Sequence, residues 1–399
     1  PLSIYKDVFK LEPGHFLKLN LLSKTMEKKC YWSVFDAYQQ PALKLSEEEI
    51  LYHTEELLRS ACNYRMVADV PVGVFLSGGY DSSLVTAMIQ AGRSLPVKTF
   101  TIGFYDDKFN EAKHSRKVAE HLGTDHTEYY CSEREALKII PQLPQWYDEP
   151  FGDSSAIPTI LVSRLARTKV TVALSADGGD EVFGGYTRFF YAMKLQRYFK
   201  TLKSFGVANL FTTVAKAIPP EKIPFTHSIN HFDNRYHKIV EMSGKKHPVE
   251  YLNIMERFLT SSELKKYTHL VSEDNNHSSV FSFQKILNHD ALNNLFAFDY
   301  RMYLMDDILV KVDRATMSVS LEGREPLLDH RLMEYLARIP SEIKCKNNQP
   351  KYLLKKIVHK YLPEEIMNRP KMGFAVPLTK WLRTDLRELL NDYLSEDAL

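Results

Sequence analysis

The residues best suited to chemistry are Ser77-Gly78-Gly79-Tyr80-Asp81-Ser82-Ser83, lying between the apolar run 70–76 and a helix-forming stretch. Two glycines let a backbone approach a ligand closely, and successive N–H groups there can form an anion-binding nest. The start of the following helix adds unsatisfied donors and positive dipole character. The hydroxyls of Ser77, Ser82 and Ser83 add further donors. Together they suit a phosphate or pyrophosphate. The segment is neither a Gly-Lys-Ser/Thr phosphate loop nor a Gly-x-Gly-x-x-Gly turn. A tight turn in which Asp81 or Ser82 only caps a helix is the competing reading.

A second cluster is Ser175-Ala176-Asp177-Gly178-Gly179-Asp180-Glu181, followed by Phe183-Gly184-Gly185-Tyr186. Asp177, Asp180 and Glu181 crowd three carboxylates at the end of an apolar run, which is unfavourable without a cation. Mg²⁺ favours a couple of carboxylates with phosphate oxygens, so a metal-bound phosphate would relieve the repulsion. A solvated acidic turn with capping aspartates is the alternative. Lys351 reads either as a charged site residue or as one more solvated lysine beside Lys355, Lys356 and Lys360. Arg324, flanked by Glu322 and Glu325, could orient a substrate, although an ion pair with Glu322 is favoured. Asp329 reads as a helix N-cap, and His121 and His126 as ordinary.

Such residues need elements to position them. Ser46-Glu47-Glu48-Glu49 predicts a capped helix running to about Tyr64. Strands are predicted over 70–76, 97–104, 127–130 and 170–174, with helices from about Ser82, over about 111–121 and over 157–167. Strands alternating with helices imply a parallel sheet covered on both faces. After Tyr186 helical spacing dominates, with polar breaks at 272–279 and 346–350, and that half is read as α-helical. The fold class is therefore α/β, a parallel sheet with helices on both faces, followed by a mostly helical C-terminal half. Near the N-terminus, Phe16-Leu17-Lys18-Leu19-Asn20-Leu21 and Cys30-Tyr31-Trp32, separated by polar residues 23–29, read as a hairpin. A lone hairpin has too little core to stand by itself.

Composition narrows the class. A length of 399 residues, 44% hydrophobic and 26% charged, fits an ordinary globular protein with a sizeable core. A formal charge of +2 lends no support to a nucleic-acid partner. The apolar runs are too short for a membrane span, and the opening residues lack a secretory pattern. Cys30, Cys62, Cys131 and Cys345 form no Cys-x-x-Cys pair, so reduced thiols and a cytoplasmic location are expected.

Residues 77–83 resemble the Ser-Gly-Gly-x-Asp-Ser signature of the ATP-pyrophosphatase superfamily, of adenine-nucleotide α-hydrolase-like fold. Residues 172–186 narrow the resemblance to the glutamine-hydrolysing asparagine synthetase family. Asp148-Glu149-Pro150, Ser154-Ser155, Thr101-Ile102-Gly103-Phe104, Glu111 and His121-Leu122-Gly123-Thr124 fit the same family. So do Lys311-Val312-Asp313-Arg314, residues 321–329 and Lys371-Met372-Gly373-Phe374, and the resemblance spans nearly all of 45–390. Ala176 stands where many members have glycine, and Asp177 where the ammonia-step acid is often glutamate.

The resemblance implies ATP and Mg²⁺, with aspartate activated as β-aspartyl-AMP and then amidated by ammonia. It implies Asp81 and Asp180 for the metal, and Leu76, Ser77, Gly78, Gly79, Asp81, Ser82, Ser83, Ile102, Ser175, Ala176 and Asp177 for the nucleotide. Asp177, Lys351 and Arg324 are the catalytic residues it implies. Residues 1–40 look like the last hairpin of a glutaminase domain, 41–190 the nucleotide-binding part and 191–399 a helical part. A fragment truncated at both ends is expected, needing free ammonia because residue 1 is Pro and not the glutaminase cysteine. A homodimer is compatible with the resemblance. A β-lactam-closing or polysaccharide-precursor amide synthetase, or a catalytically silent homologue, are the alternatives, and a tRNA-modifying role is weaker.

Overall fold

The computed structural model describes all residues except 1, 106–109, 207–211, 216–217, 219, 221–222, 224–231, 261–262, 264–289, 369–375 and 396–399. The polar break 272–279 and the motif Lys371-Met372-Gly373-Phe374 lie outside the described residues.

Strands β1 (His15–Leu19) and β2 (Met26–Cys30) pair antiparallel, His15 opposite Cys30. The second strand thus occupies the polar stretch 23–29, expected as a connector before Cys30-Tyr31-Trp32, rather than those three residues. All five of its residues are exposed, so no buried face imposes an apolar alternation that could reveal it. Helix α1 (Val34–Gln39) follows, then α2 (Glu47–Arg65). The Ser46 hydroxyl accepts from the Glu49 N–H at 3.3 Å, and the Glu49 carboxylate accepts from the Ser46 N–H at 2.8 Å. That reciprocal cap fixes the start of α2 where the acidic run predicts it.

The main sheet comprises β3 (Val72–Phe75), β4 (Lys98–Phe104), β5 (Asp125–Cys131), β6 (Val172–Leu174) and β7 (Glu322–Arg324), ordered β5-β4-β3-β6-β7 and parallel throughout. Between them run α3 (Tyr80–Ala91), α4 (Ala112–Leu122) and α5 (Ala156–Arg167). The two-residue period of a strand sends neighbours to opposite faces. Val74 and Leu174 accordingly join a core with Leu84 and Val85 of α3, while Phe100, Ile102 and Ala173 join one with Ile157 and Ile160 of α5. Both faces are covered.

The second half is mostly helical, as its spacing predicts, and β7 is the strand it adds to the sheet. Glu322-Gly323-Arg324 has no strand-forming composition, and tertiary pairing imposes the conformation. Glu322 N donates to Thr171 O, and Ser175 N donates to Arg324 O, each at 2.9 Å. The half holds the helices α7 (Thr187–Ser204), α8 (Ala291–Arg301), α9 (Leu309–Met317) and α10 (Tyr352–Val358), and the short α6 (Gly179–Phe183) precedes it. No described helix is long and apolar enough to cross a membrane. Because β3 and β6 are adjacent and parallel, the turns leaving them open at the same edge. The chain order reverses there, which is where ligands gather in open α/β sheets.

Candidate active site

The turn after β3 is shaped by its backing. Gly78 has φ +73°, and a Cβ there would lie 2.7 Å from Ser115 N and 2.8 Å from His114 C at the start of α4. Only glycine fits. The Ser77 and Ser82 hydroxyls lie 2.9 Å apart, and Gly79 N donates to the Ser77 hydroxyl at 3.3 Å, so side chains hold the turn in shape. Tyr80 then begins α3, whose first turn carries Asp81. The Ser83 hydroxyl is fully buried and does not line the cleft.

The turn after β6 meets it. A Cβ on Gly179, at the start of α6, would lie 2.4 Å from Asp81 Oδ1, so the first turns of α3 and α6 are in direct contact. Between Asp81 and Asp180 lies the ammonium of Lys351, ion-paired to Asp81 and 2.7 Å from Asp180 Oδ1. Burial opposes the lysine's charge, but the two carboxylates outweigh it and hold the ammonium above its ordinary range. Lys351 itself adopts φ +57° at the start of α10. Gly185 packs so closely that a Cβ would sit 1.9 Å from Asp180 Oδ1 and 2.1 Å from Lys351 Cε.

Two carboxylates sharing one cation leave a net negative charge. Among the described residues no three His, Cys, Asp or Glu side chains gather as metal ligands. Two facing carboxylates are the protein complement that Mg²⁺ usually takes when phosphate oxygens supply further ligands.

Further along the edge, Ser175 donates its hydroxyl to Asp177 Oδ2. Burial pushes the Asp177 carboxyl up, partly opposed by the charge of Lys311 and the Ser175 hydrogen bond. Glu181 is pushed up to about 8 by burial and by the nearby Asp299 and Asp180, and accepts from the Tyr186 hydroxyl at 2.8 Å. The Lys311 ammonium lies 2.9 Å from Asp153 Oδ2 and 2.9 Å from the Ser155 hydroxyl.

These groups line one cleft of about 710 Å³, within the range of small-molecule sites. It brings together Leu76, Ser77, Gly78, Gly79, Asp81, Ser82, Ile102, Ser175, Ala176, Asp177, Asp180 and Lys351. Arg324 lies elsewhere. Its guanidinium donates to the carbonyls of Arg65 and Val67 at 2.8 Å each and to Glu322 at 2.6 Å, tying β7 to the C-terminal end of α2. Asp329 accepts from Arg331 N at 3.0 Å as an N-cap. Lys311 stands in the sequence reading only as part of the motif Lys311-Val312-Asp313-Arg314, with no role of its own, and Asp153 is not among its site residues. The available signal was a lysine on the buried face of α9, four residues before buried Ala315.

Over residues 53–399 the sequence matches the family described as asparagine synthase. It is 30% identical over 404 residues to asparagine synthetase (glutamine-hydrolyzing) 1 of Bacillus subtilis strain 168, covering 99% of this chain and 60% of that protein. It is 39% identical over 226 residues to putative asparagine synthetase (glutamine-hydrolyzing) 2 of Methanocaldococcus jannaschii, covering 53% of this chain and 43% of that protein. Amidase chyE of Penicillium rubens is 24% identical over 408 residues, covering 95% of this chain and 60% of that protein. The chain thus spans about 60% of the Bacillus relative's length.

Proposed function

This chain belongs to the asparagine synthase family, and we propose that it joins ammonia to a carboxylic acid, aspartate first among candidates, with ATP as the activating substrate. One observation carries this reading: the Ser-Gly-Gly turn and the facing pair Asp81 and Asp180 share a single cleft with Asp177.

In the first step a carboxylate oxygen of the acid attacks the α-phosphorus of ATP. The bond from that phosphorus to its bridging oxygen breaks, and pyrophosphate leaves with the electron pair. The turn 77–82 and the first turn of α3 stabilise the charge that develops on it. Leu76, Ile102, Ser175 and Ala176 flank the nucleotide. Asp81 and Asp180 would hold Mg²⁺, which when bound neutralises charge on the phosphates. Lys351, keeping its proton, turns its ammonium from the two aspartates toward the negative charge that develops on the reacting groups.

In the second step ammonia attacks the acyl carbon of the acyl-AMP, its nitrogen loses a proton, and AMP leaves with the electron pair of the acyl–oxygen bond. Asp177 accepts that proton. Its carboxylate, disfavoured by burial, is a stronger base than an exposed one. The bacterial and archaeal relatives are named glutamine-hydrolyzing, which supports glutamine as the ammonia source in the whole protein. We assign residues 1–40 to the glutaminase side, 41–190 to nucleotide binding and 191–399 to the helical part that contributes Lys351 and β7. Arg324 is given a structural role.

A different acid is the second reading, favoured by Asp177 at a position where glutamate is common in the family. Pyrophosphate and AMP production from ATP and Mg²⁺, with an ammonium salt and a panel of acids, separates the two. Asp81→Asn is expected to lower turnover at least about a hundredfold with the fold intact. Retained turnover would reduce Asp81 to a helix-start residue.

A further inference from the structure

Helix α7 contains no aspartate or glutamate, and only one side of it serves the core. Phe189, Ala192 and Phe199 are its buried residues, and they join the core that holds Val74 and Leu174. The other side carries aromatic residues that the core does not use. Tyr191 is 51% exposed, Tyr198 61%, and Phe205, at the end of the helix, 77%. Seven residues make nearly two full turns, so the three rings fall on one line along the helix, spanning about 21 Å. Phe205 keeps to that line because its N–H still donates to Thr201 O at 3.2 Å. A single exposed ring is ordinary, whereas a row of them marks a surface that meets something.

Cations run beside the rings. Lys194, Arg197 and Lys200 are exposed, and none forms an ion pair among the described residues. Lys194 stands three residues after Tyr191 and four before Tyr198, which sets it on the same face as both. On the far flank the Lys203 ammonium donates to Lys245 O at 2.8 Å, and the Gln196 amide donates to Lys246 O at 3.1 Å. Lys246 is exposed too. Glu250, the acid of that corner, is occupied by the N–H groups of Lys246 and His247 at 2.9 Å each. The positive charge along α7 is therefore left without an anion on its own helix.

The chemistry of the face selects its occupant. A second copy would set Lys194, Arg197 and Lys200 against themselves, so self-pairing is opposed by like charge. An acidic peptide or a single nucleic-acid strand is held in a groove, and the outer side of a lone helix offers a ridge. A plane of phosphates complements that ridge. Tyrosine rings rest at the level of lipid head groups, apolar body inward and hydroxyl wet, while lysine and arginine reach the phosphates from the same depth. A helix lying flat on a bilayer uses rings along one line and cations alongside.

We propose that the outer face of α7 is a docking surface for an anionic lipid bilayer, with Tyr191, Tyr198 and Phe205 entering the head-group layer and Lys194, Arg197 and Lys200 on its phosphates.

The test is sedimentation of the full chain with vesicles of phosphatidylcholine, alone or with about a third phosphatidylglycerol. Each cation near an anionic surface strengthens binding about fivefold. The wild type should therefore bind the anionic vesicles at least about tenfold more tightly than the neutral ones, and high salt should remove that margin. Lys194→Gln, Arg197→Gln and Lys200→Gln together should weaken binding to the anionic vesicles about a hundredfold. Tyr191→Ser, Tyr198→Ser and Phe205→Ser together should weaken it at least about tenfold, with the salt dependence retained. All six side chains are exposed, and circular dichroism checks that each variant is folded. Should the aromatic variant not fold, the charge variant decides. No binding of the wild type to anionic vesicles, equal binding to both kinds, or unchanged binding by the charge variant overturns the proposal. Tighter binding to polyglutamate or to a single-stranded oligonucleotide than to the anionic vesicles, lost in the same variants, overturns it in favour of a macromolecular partner.

Discussion

Lys351 spans two carboxylates that would otherwise face each other across the meeting point of α3 and α6. Removing one partner of a buried ionic cluster leaves uncompensated charge, at a cost of about 3–5 kcal/mol. Lys351→Met should therefore lower stability by about 3 kcal/mol, and added Mg²⁺ should restore part of it, since a cation that binds only the folded state stabilises it by mass action. A thermal melt with and without Mg²⁺ checks this. The same Mg²⁺ response in wild type and variant would show that the pair does not attract the metal. At this scale the sequence showed Asp81 and Asp180 clearly, because each follows glycines at a strand end. It did not show that Lys351 would sit between them, since three other lysines, Lys346, Lys355 and Lys356, lie within five residues along the chain. The ion pair of Lys311 with Asp153 was not legible for a related reason: its members lie 158 residues apart in sequence.

At the scale of elements, Arg324 illustrates how a motif residue can serve architecture. Cations near a helix C-terminus satisfy its last carbonyls, and Arg324 does so for α2 while belonging to β7. Arg324→Met should cost about 2 kcal/mol, read by chemical denaturation, with the aspartate KM unchanged. A selective rise in that KM would return Arg324 to the substrate. β3, β4 and β6 and the helices α3, α4 and α5 were legible because apolar runs, glycines and helical spacing agree there, whereas the short helices Glu133–Leu137 and Leu143–Trp146 were not read. β7 was not, because three polar residues are held as a strand only by their neighbours. The hairpin was half legible for the same reason: β1 alternates, whereas β2 is exposed throughout.

For the whole molecule, the two cores on opposite faces of one sheet hold the turns after β3 and β6 as a rigid pair. The sheet is completed by a strand from the second half, and Lys351 comes from that half too, so the cleft depends on both. The fold class followed from alternation alone, while the shared construction of the cleft needed three dimensions. The central claim is that this cleft sets an acid's carboxylate against the α-phosphorus of ATP. The most direct measurement uses aspartate carrying ¹⁸O in its side-chain carboxylate, with ATP, Mg²⁺ and an ammonium salt, and locates the label by mass spectrometry. The account predicts ¹⁸O in AMP, accompanied by unlabelled pyrophosphate. Label in inorganic phosphate alongside ADP would contradict it.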